Sequence, residues 1–549
     1  MKHRTISLFV TTVILLLGFS TKALATDYYF YVQFADKNET PYSLSNPSEY
    51  LSERAIERRQ YFRLSCDSTD LPVNPNYLQT IKTNGFRIHN KTKWLNGATV
   101  ITSDSASVAL LKTFPFVKQI EYTGKLNDGT KKKPTQRKSV EQTDDSGNYG
   151  YADAQIAQIN GKYLHNKTYR GEDIHIGVLD AGFYDVDKMS AFSNLRIENR
   201  LLGTKDFINP ESNIFQENSH GASVLSTMAS KIDGQYIGTA PDASYWLVRT
   251  ENSGPEYSME MDFWVSGIEF LDSVGIDVVN SSLGYTVFDD PNMNFTYSDM
   301  NGETARISRA ATMAADKGII VVNSAGNEGG SGWKYIGAPA DAKNIITVGA
   351  VMSDGTASSF SSFGPTFDGR VKPEIAAWGT QTALMNINGN FNGNGTSFSA
   401  PIIAGMMACF LQLAKDQYSF ISLDDLFQYV FRSGNTYNSP NERLGYGIPD
   451  FEKAADLLLA NNTFTNTVSD REILIFMDIA SKTLRIDLNG RNFRNAYIQI
   501  LDINGKLLLN QIVSSERTII ETNGFNQGFY AVHIIFSNGE TNTQKIIIK

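Results

Sequence analysis

Short apolar segments in the middle of the chain constrain its fold more than any other feature. Between residues 151 and 460, segments rich in Val and Ile predict four strands, at residues 174–179, 244–249, 276–280 and 319–323. Helical patterns separate them, at residues 221–230, 261–273 and 307–317. Near-continuous apolar strands alternating with helices are typical of a parallel sheet that helices cover on both faces. The sequence therefore predicts an α/β domain at 151–460.

The segments on either side have different patterns. Residues 26–125 alternate strand and helix patterns and predict a small α+β domain, with helices at 49–59, 77–84 and 105–112. Residues 466–549 contain seven short strand candidates and an Asn504-Gly505 hairpin turn, which predicts an all-β sandwich. The charged stretch 126–150 predicts an exposed linker that is either a processing site or only a solvated connection.

The N-terminus has the pattern of an export signal. Lys2, His3 and Arg4 precede an apolar run at residues 6–19, and Ala23-Leu24-Ala25 fits the small-x-small cleavage pattern. An uncleaved membrane anchor is the alternative, but the run is shorter than the roughly 18 residues that a spanning helix needs. We therefore predict a signal peptide at 1–25, cut after Ala25, and a mature protein that is secreted or at the cell surface.

The charge and the cysteine content exclude two classes of protein, nucleic-acid binders and disulfide-rich domains. The chain of 549 residues has a net charge of -9, which leaves no strong positive field for nucleic acid. Its two cysteines, Cys66 and Cys409, are too few for a disulfide framework. Cutting the predicted linker would separate them, and the apolar run 406–413 predicts that Cys409 is a buried free thiol.

Two residues of the α/β region stand where a parallel sheet places functional groups. Asp180 directly follows the strand predicted at 174–179, and sites in such sheets lie beyond the carboxyl ends of the strands. His220, in Ser219-His220-Gly221, stands at the start of a predicted helix. A turn aspartate that binds its own backbone is the simpler explanation for Asp180 taken alone.

A serine and an asparagine also lie in glycine-rich turns. Ser397 follows Gly395-Thr396 and precedes the helix at 402–413, with Pro401 expected in its first turn. A serine there gains from the positive end of the helix dipole, although an ordinary N-cap serine has the same pattern. Asn327 follows the strand at 319–323, and its side-chain amide can donate a hydrogen bond without a charge.

Taken together, these residues resemble the subtilase family, because Asp180, His220 and Ser397 occur in the subtilisin order. The resemblance extends over residues 171–459 and includes the segments Asn280-Ser281-Ser282-Leu283-Gly284, Phe360-Ser361-Ser362-Phe363-Gly364-Pro365 and Gly395-Thr396-Ser397. The chain departs from the usual family pattern at Ala181, Ala222, Trp378 and Phe398. None of these is a reacting group.

The resemblance implies a subtilisin-like fold and a serine endopeptidase. Ser397 would be the nucleophile, His220 the general base and Asp180 the residue that orients it. Asn327 and the backbone N–H of Ser397 would form the oxyanion hole. The substrate-binding residues implied by the resemblance are Ser282, Leu283, Gly284, Ser324, Ala325 and Gly326.

The flanking domains have resemblances of their own. Residues 26–125 resemble a subtilase propeptide, which assists folding and blocks the cleft. Residues 466–549, with Gly528-Phe529-Tyr530 and a Lys545–Lys549 end, resemble the C-terminal sorting domain of the type IX secretion system of Bacteroidetes. The expected partners are protein or peptide substrates, the chain's own propeptide and the secretion machinery, with no nucleic acid.

Two other functions fit the same sequence. A subtilase fold that has lost activity could serve adhesion, and the same triad could join or cyclise peptides. Calcium could bind the acids at Asp289–Asp290 or at residues 299–303, but no loop has strong ligand spacing. We therefore predict no metal site and no required cofactor.

Overall fold

The structure is a computed structural model that describes residues 26–127, 148–252 and 254–462, and in the C-terminal part 473–478, 482–488, 496–513, 515, 517–536 and 541–548. These residues divide into two compact units, before and after the boundary between Ala460 and Asn461. The predicted signal peptide and most of the predicted linker lie outside the described residues.

The N-terminal domain, residues 26–127, is an antiparallel sheet with helices. Its strands are β1 (Thr26–Phe34), β2 (Arg87–Thr92), β3 (Gly97–Thr102) and β4 (Val117–Asn127), in the order β2-β3-β1-β4. Its helices are α1 (Glu53–Tyr61) and α2 (Pro75–Thr83), with 3₁₀ turns at Pro47–Glu49 and Ser105–Thr113. The helix predicted at 105–112 is thus a 3₁₀ helix. Strand β2 was not predicted because its sequence is mostly polar.

The central domain, residues 148–460, has the predicted α/β architecture. Its helices are α3 (Asp153–Ala157), α4 (Lys162–Asn166), α5 (Ser193–Ile197), α6 (His220–Ala229), α7 (Met259–Val274), α8 (Arg306–Asp316), α9 (Thr396–Gln417), α10 (Leu423–Ser433) and α11 (Phe451–Asn462). Its strands are β5 (His175–Asp180), β6 (Leu201–Asp206), β7 (Lys231–Ile232), β8 (Tyr236–Ile237), β9 (Ser244–Arg249), β10 (Val278–Ser281), β11 (Ile320–Ser324), β12 (Ile346–Val351), β13 (Ile375–Trp378), β14 (Thr382–Asn386) and β15 (Gly389–Gly393).

Seven of these strands form one parallel sheet, in the order β13-β12-β11-β10-β5-β9-β6. Successive side chains point to opposite faces, so Val178 packs in one core and Leu179 in the other. Helices α6 and α9 cover the first face, and α7 and α8 cover the second. The four predicted strands are all in this sheet, and the predicted fold class is confirmed.

Helix α9 begins earlier than the sequence indicated. It starts at Thr396, so Pro401 lies inside the helix rather than in its first turn. Proline has no N–H, and the carbonyl of Ser397 therefore has no helical donor at that position. The Ser282 hydroxyl donates to this carbonyl instead, at 2.9 Å. The helix is long and apolar enough to cross a membrane, but 94% of its most apolar window is buried inside the domain.

The C-terminal unit contains seven described strands, the number that the sequence predicted: β16 (Leu474–Asp478), β17 (Thr483–Asp487), β18 (Tyr497–Asp502), β19 (Leu507–Ile512), β20 (Arg517–Glu521), β21 (Gly528–Ile535) and β22 (Thr541–Ile548). They form two antiparallel sheets, β16-β17-β20 and β19-β18-β21-β22. Side chains from both sheets bury one shared core. Gly505 has φ +78° in the turn between β18 and β19, as the Asn-Gly signal indicated.

Candidate active site

Asp180 is the last residue of strand β5, at the carboxyl end of the parallel sheet. Its side chain is completely buried. The His220 Nδ1 lies 2.9 and 3.0 Å from the two carboxylate oxygens, and the Ala181 N–H donates to Oδ1 at 2.7 Å. A carboxylate only accepts, so Nδ1 carries the proton and Nε2 is left as the acceptor nitrogen. This is the tautomer that a general base needs.

His220 is the first residue of helix α6, and the residue after it must be glycine. A Cβ on Gly221 would lie 2.4 Å from the Gly182 carbonyl oxygen and 2.9 Å from the Asp180 Cβ. The Asn218 side chain accepts the His220 backbone N–H at 2.8 Å. The glycine therefore allows the helix start to approach the end of β5 closely enough for the contact between His220 and Asp180.

Ser397 is the second residue of helix α9. Its Oγ lies 3.5 Å from the Ser282 carbonyl oxygen, at the limit of a hydrogen bond. Its backbone N–H is among the first four of the helix, which have no carbonyl partner within the helix. Gly395, just before the helix, has φ +152°. Hydroxyl and amide thus lie at the positive end of a long helix.

Asn327 is oriented by the residue next to Ser397. Its Oδ1 accepts hydrogen bonds from the Thr396 N–H at 2.9 Å and from the Thr396 hydroxyl at 3.1 Å. The carbonyl side of the amide is therefore occupied, which leaves the Nδ2 hydrogens as the available donors. Thr396, a residue that the sequence did not single out, fixes this orientation.

The predicted site residues meet at one cavity of about 620 Å³. Of the predicted residues, its lining includes His220, Ser282, Leu283, Gly284, Ser324, Gly326, Asn327 and Ser397. Asp180 lies behind His220. Ala325 is buried with Ile336 and Ala340, and its N–H donates to the Val348 carbonyl.

The domain has two other histidines, of which His165 is buried and His175 is half-buried. Burial lowers the pKa of His165 and of His175 to about 4. The His165 ring bonds to the Tyr149 hydroxyl at 2.9 Å and to the Thr239 carbonyl at 3.0 Å. Cys409 packs beside it as a buried free thiol, as predicted, and Cys66 is also free.

Two charged residues near the cavity were missed by sequence reasoning. Arg249 ends strand β9, and its Nε donates to the Ala181 carbonyl at 3.0 Å while its guanidinium pairs with Asp206 at 2.9 Å. It therefore supports the turn after Asp180. Glu251, two residues further, lines the cavity itself. No local sequence signal marks either residue, because their positions near Asp180 arise from the pairing of strands β5 and β9.

The acids considered for calcium from sequence make protein contacts. Asp290 and Asp299 accept backbone N–H groups at the starts of 3₁₀ turns, from Asn292 and Thr296. Glu303 forms an ion pair with Lys343.

The N-terminal domain packs against helix α7. The Glu269 carboxylate accepts the backbone N–H groups of Lys93 at 2.7 Å and Trp94 at 3.0 Å. Asp272, one turn further, forms ion pairs with Arg58, Arg59 and Lys93. These contacts join the two domains through charged groups that are almost fully buried.

Comparison with known proteins agrees with this architecture. The profile of the subtilase family, Peptidase S8, matches residues 171–447. The Bacteroidota Peptidase S8 propeptide domain matches residues 29–141, and a secretion system C-terminal sorting domain matches residues 480–549.

Individual proteases are similar over 46% to 60% of the chain. Subtilisin NAT of Bacillus subtilis subsp. natto is 30% identical over 335 residues, which is 60% of this chain and 74% of that protein. Subtilisin DY of Bacillus licheniformis is 32% identical over 259 residues, 47% of this chain and 83% of that protein. The serine protease AprX of Bacillus subtilis is 28% identical over 284 residues, 46% of this chain and 60% of that protein.

The fold and these similarities define a serine endopeptidase. The chain belongs to the subtilase family. It carries its own propeptide domain and a type IX secretion sorting domain, which indicates export to the surface or the medium.

Proposed function

We propose that Asp180, His220 and Ser397 are the catalytic triad of this protease. The observation that carries the proposal is the hydrogen bond between the buried Asp180 carboxylate and His220 Nδ1, in the cavity that Ser397 and Asn327 also line. The carboxylate holds Nδ1 protonated, so Nε2 can take a proton from a hydroxyl. Because this step needs a neutral imidazole, activity falls at acid pH.

Hydrolysis then proceeds through an acyl-enzyme. Ser397 Oγ attacks the peptide carbonyl carbon while His220 takes the hydroxyl proton, and the tetrahedral oxyanion accepts from Asn327 Nδ2 and the Ser397 N–H. His220 gives the proton to the leaving amine, and the C–N bond breaks. Water attacks the ester in the second half by the same route, which frees Ser397. No cofactor takes part in these steps.

Substrate binds as an added strand along Ser282, Leu283 and Gly284. A Cβ on Gly284 would meet no atom within 4 Å, so this segment faces open space. Ser324 and Gly326 form the wall beside Asn327, and their small side chains leave room for the substrate residue before the cut. The pocket accepts large apolar side chains.

The flanking segments control where and when the protease acts. Residues 1–25 direct export and are removed after Ala25, and the sorting domain engages the secretion machinery. The propeptide domain assists folding and inhibits the enzyme until the linker is cut. A slow-folding parallel sheet benefits from such help.

The test is labelling with a fluorophosphonate probe, with the adduct mapped by peptide mass spectrometry. The probe labels Ser397 in the processed protein, and labelling and casein cleavage are both lost in Ser397→Ala. Ser399→Ala is the matched control, because Ser399 lies in the same helix turn with its hydroxyl bonded to the Thr396 carbonyl. A folded, processed protein that neither labels nor cleaves would instead be a binding protein, and mass spectrometry of the products distinguishes hydrolysis from ligation.

A second variant tests the oxyanion hole. Asn327→Ala lowers kcat about 10²–10³-fold, which is the loss known for the equivalent asparagine of subtilisin itself. KM changes little, because the bond forms only with the oxyanion. An unchanged kcat would remove Asn327 from the proposed mechanism.

A further inference from the structure

Three glutamates meet beside the catalytic cavity, and one of them, Glu251, lines it. Glu251 follows strand β9 and lines the cavity, Glu256 lies further along the same loop, and Glu260 is in the first turn of helix α7. One carboxylate oxygen of each lies within 4.8 Å of the others. None of these three glutamates was among the acids that the sequence singled out.

Within the described part of the chain, no lysine or arginine forms an ion pair with these three carboxylates. The nearby Arg249 is already paired with Asp206 at 2.9 Å and with Glu217 at 3.5 Å. Asp289 adds a fourth acid beside Glu256, whose backbone N–H donates to it at 3.2 Å. The cluster therefore has a deficit of positive charge.

Glu260 shows that a partner is missing. Its side chain is fully buried, and its Oε1 accepts the Asn252 N–H at 2.7 Å. Its Oε2 has no hydrogen-bond partner among the described residues. A buried carboxylate oxygen without a donor is costly, so either a proton shared with Glu256 or a bound cation must neutralise it.

Geometry and donor type favour the cation. Oxygens that bind one Ca²⁺ lie about 2.3–2.6 Å from it, so two opposite ligands are about 4.6–5.2 Å apart. Three oxygens within 4.8 Å of one another fit around one such ion. The Tyr285 hydroxyl donates to Glu251 Oε2 at 2.6 Å and the Asn252 N–H holds Glu260, so two of the three carboxylates are already oriented.

We propose that Glu251, Glu256 and Glu260 bind a divalent cation beside the catalytic cavity. Their hard oxygen donors favour Ca²⁺. Glu251 and Glu256 lie at the two ends of the loop after β9, and Glu260 anchors the ion to helix α7. The bound ion fixes this loop against the cavity. The proposal does not depend on the catalytic roles of Asp180, His220 or Ser397.

The experiment measures Ca²⁺ binding to the full-length Ser397→Ala chain by isothermal titration calorimetry. The Glu256→Gln/Glu260→Gln double variant keeps the side-chain volumes and removes two charges. We expect its affinity for Ca²⁺ to be at least tenfold weaker. Glu198→Gln, which alters a half-exposed acid paired with Arg200, is the matched control and leaves binding unchanged.

Terbium luminescence locates the ion. Tb³⁺ replaces Ca²⁺ at carboxylate sites and emits when a neighbouring tyrosine is excited, so Tyr285→Phe lowers the emission and leaves Tb³⁺ binding nearly intact. Equal Ca²⁺ binding by parent and double variant overturns the proposal in favour of a shared proton. An absence of Ca²⁺ binding by the parent also overturns it. If, in addition, the active enzyme prefers substrates with Lys or Arg and Glu251→Gln abolishes that preference, the cluster binds a substrate side chain instead.

Discussion

The two ends of helix α7 bury acids in opposite ways. Near its N-terminus, Glu260 lies with Glu251 and Glu256, with no cationic side chain paired to them among the described residues. Near its C-terminus, Asp272 is equally buried and is paired with Arg58, Arg59 and Lys93 of the propeptide domain. The helix dipole favours a negative charge at the first end and opposes it at the second.

The pKa shifts of these acids are opposite to those that the helix dipole alone would cause. Burial opposes the ionisation of Asp272, but Lys93, Arg58 and Arg59 outweigh it and hold its pKa below the usual range. Burial, with the charges of Glu251 and Glu256, raises the pKa of Glu260 well above the usual range. Burial also raises the pKa of Glu256 to about 7. Specific partners thus decide the charge state of a buried acid, and the helix dipole does not.

The difference also separates two functions of the helix. The C-terminal acids are neutralised by the propeptide domain, so they contribute to its docking. Of the N-terminal acids, Glu251 lines the cavity, and by our proposal an ion neutralises the three glutamates. Removing an acid therefore has opposite consequences at the two ends.

The largest effect is expected for Asp272→Asn. It leaves Arg58, Arg59 and Lys93 buried without their shared carboxylate, which costs about 3–5 kcal/mol. Urea unfolding of the full-length Ser397→Ala chain measures this loss. Asp153→Asn, at a half-exposed pair with Lys162, is the control and costs less than about 1 kcal/mol. A loss below that value for Asp272→Asn would mean that its ion pairs do not hold the domains together.

Glu269→Gln is expected to cost less. The Gln amide keeps one acceptor oxygen, but its NH₂ group faces the N–H donor of Lys93 or Trp94 and cannot accept from it. We therefore expect the free energy of unfolding to fall by about 1.5–3 kcal/mol. Thr92, whose hydroxyl also donates to Glu269, supplies the check. Thr92→Val combined with Glu269→Gln should destabilise by less than the sum of the single changes. Strict additivity would show that Thr92 and Glu269 are not coupled.

The two ends should respond oppositely to pH. The pKa of Asp272 is lower in the folded state than its usual 3.8, so its contribution is complete above that pH and is lost as the pH falls. The pKa of Glu256 is raised from 4.5 to about 7, so folding takes up a proton, and this contribution is lost as the pH rises through that range.

Urea unfolding without calcium, at pH 5 and pH 8, isolates the contribution of Glu256 to the pH dependence of stability. The loss of stability between these values should be smaller in Glu256→Gln than in the parent, and calcium should reduce it in the parent alone. Identical losses in both proteins would mean that Glu256 titrates normally.

The smallest effect is expected for Glu260→Gln in the absence of metal. Without metal, burial and the neighbouring acids already oppose the ionisation of Glu260, so a neutral Gln leaves stability unchanged or raises it, by on the order of 1 kcal/mol. With calcium the order reverses, because the parent gains stability from the ion and the variant gains less. Thermal unfolding with EDTA and with CaCl₂ gives both values. A large destabilisation in EDTA would mean that the Glu260 carboxylate has a stabilising partner within the protein beyond the Asn252 N–H.

Most of the proposed catalytic framework could be predicted because its signals are local. An apolar strand that ends in Asp180, a histidine followed by Gly221 and a serine after Gly395 each lie within a few neighbouring residues. Thr396 and Arg249 could not be found in this way. Their roles depend on contacts with Asn327 and Ala181 that the fold creates between distant segments.

Strand β2 and the start of helix α9 show the same limit. The mostly polar β2 is a strand because it pairs with β3 and lies against α7. Helix α9 extends back past Pro401 because the Ser282 hydroxyl satisfies the carbonyl that proline leaves without a donor. Helix α7 and Ser282 both lie far from these segments in sequence.

By itself the sequence determined the subtilase fold and which residues stand at the carboxyl ends of its strands, since the period of apolar residues and the positions of glycine encode these locally. The tertiary structure alone decided the charge states of the buried acids. Asp272 and Glu260 lie in one helix and are equally buried, and they differ only in what the rest of the fold places beside them. Burial and distance between charges set that difference, and both exist only after folding.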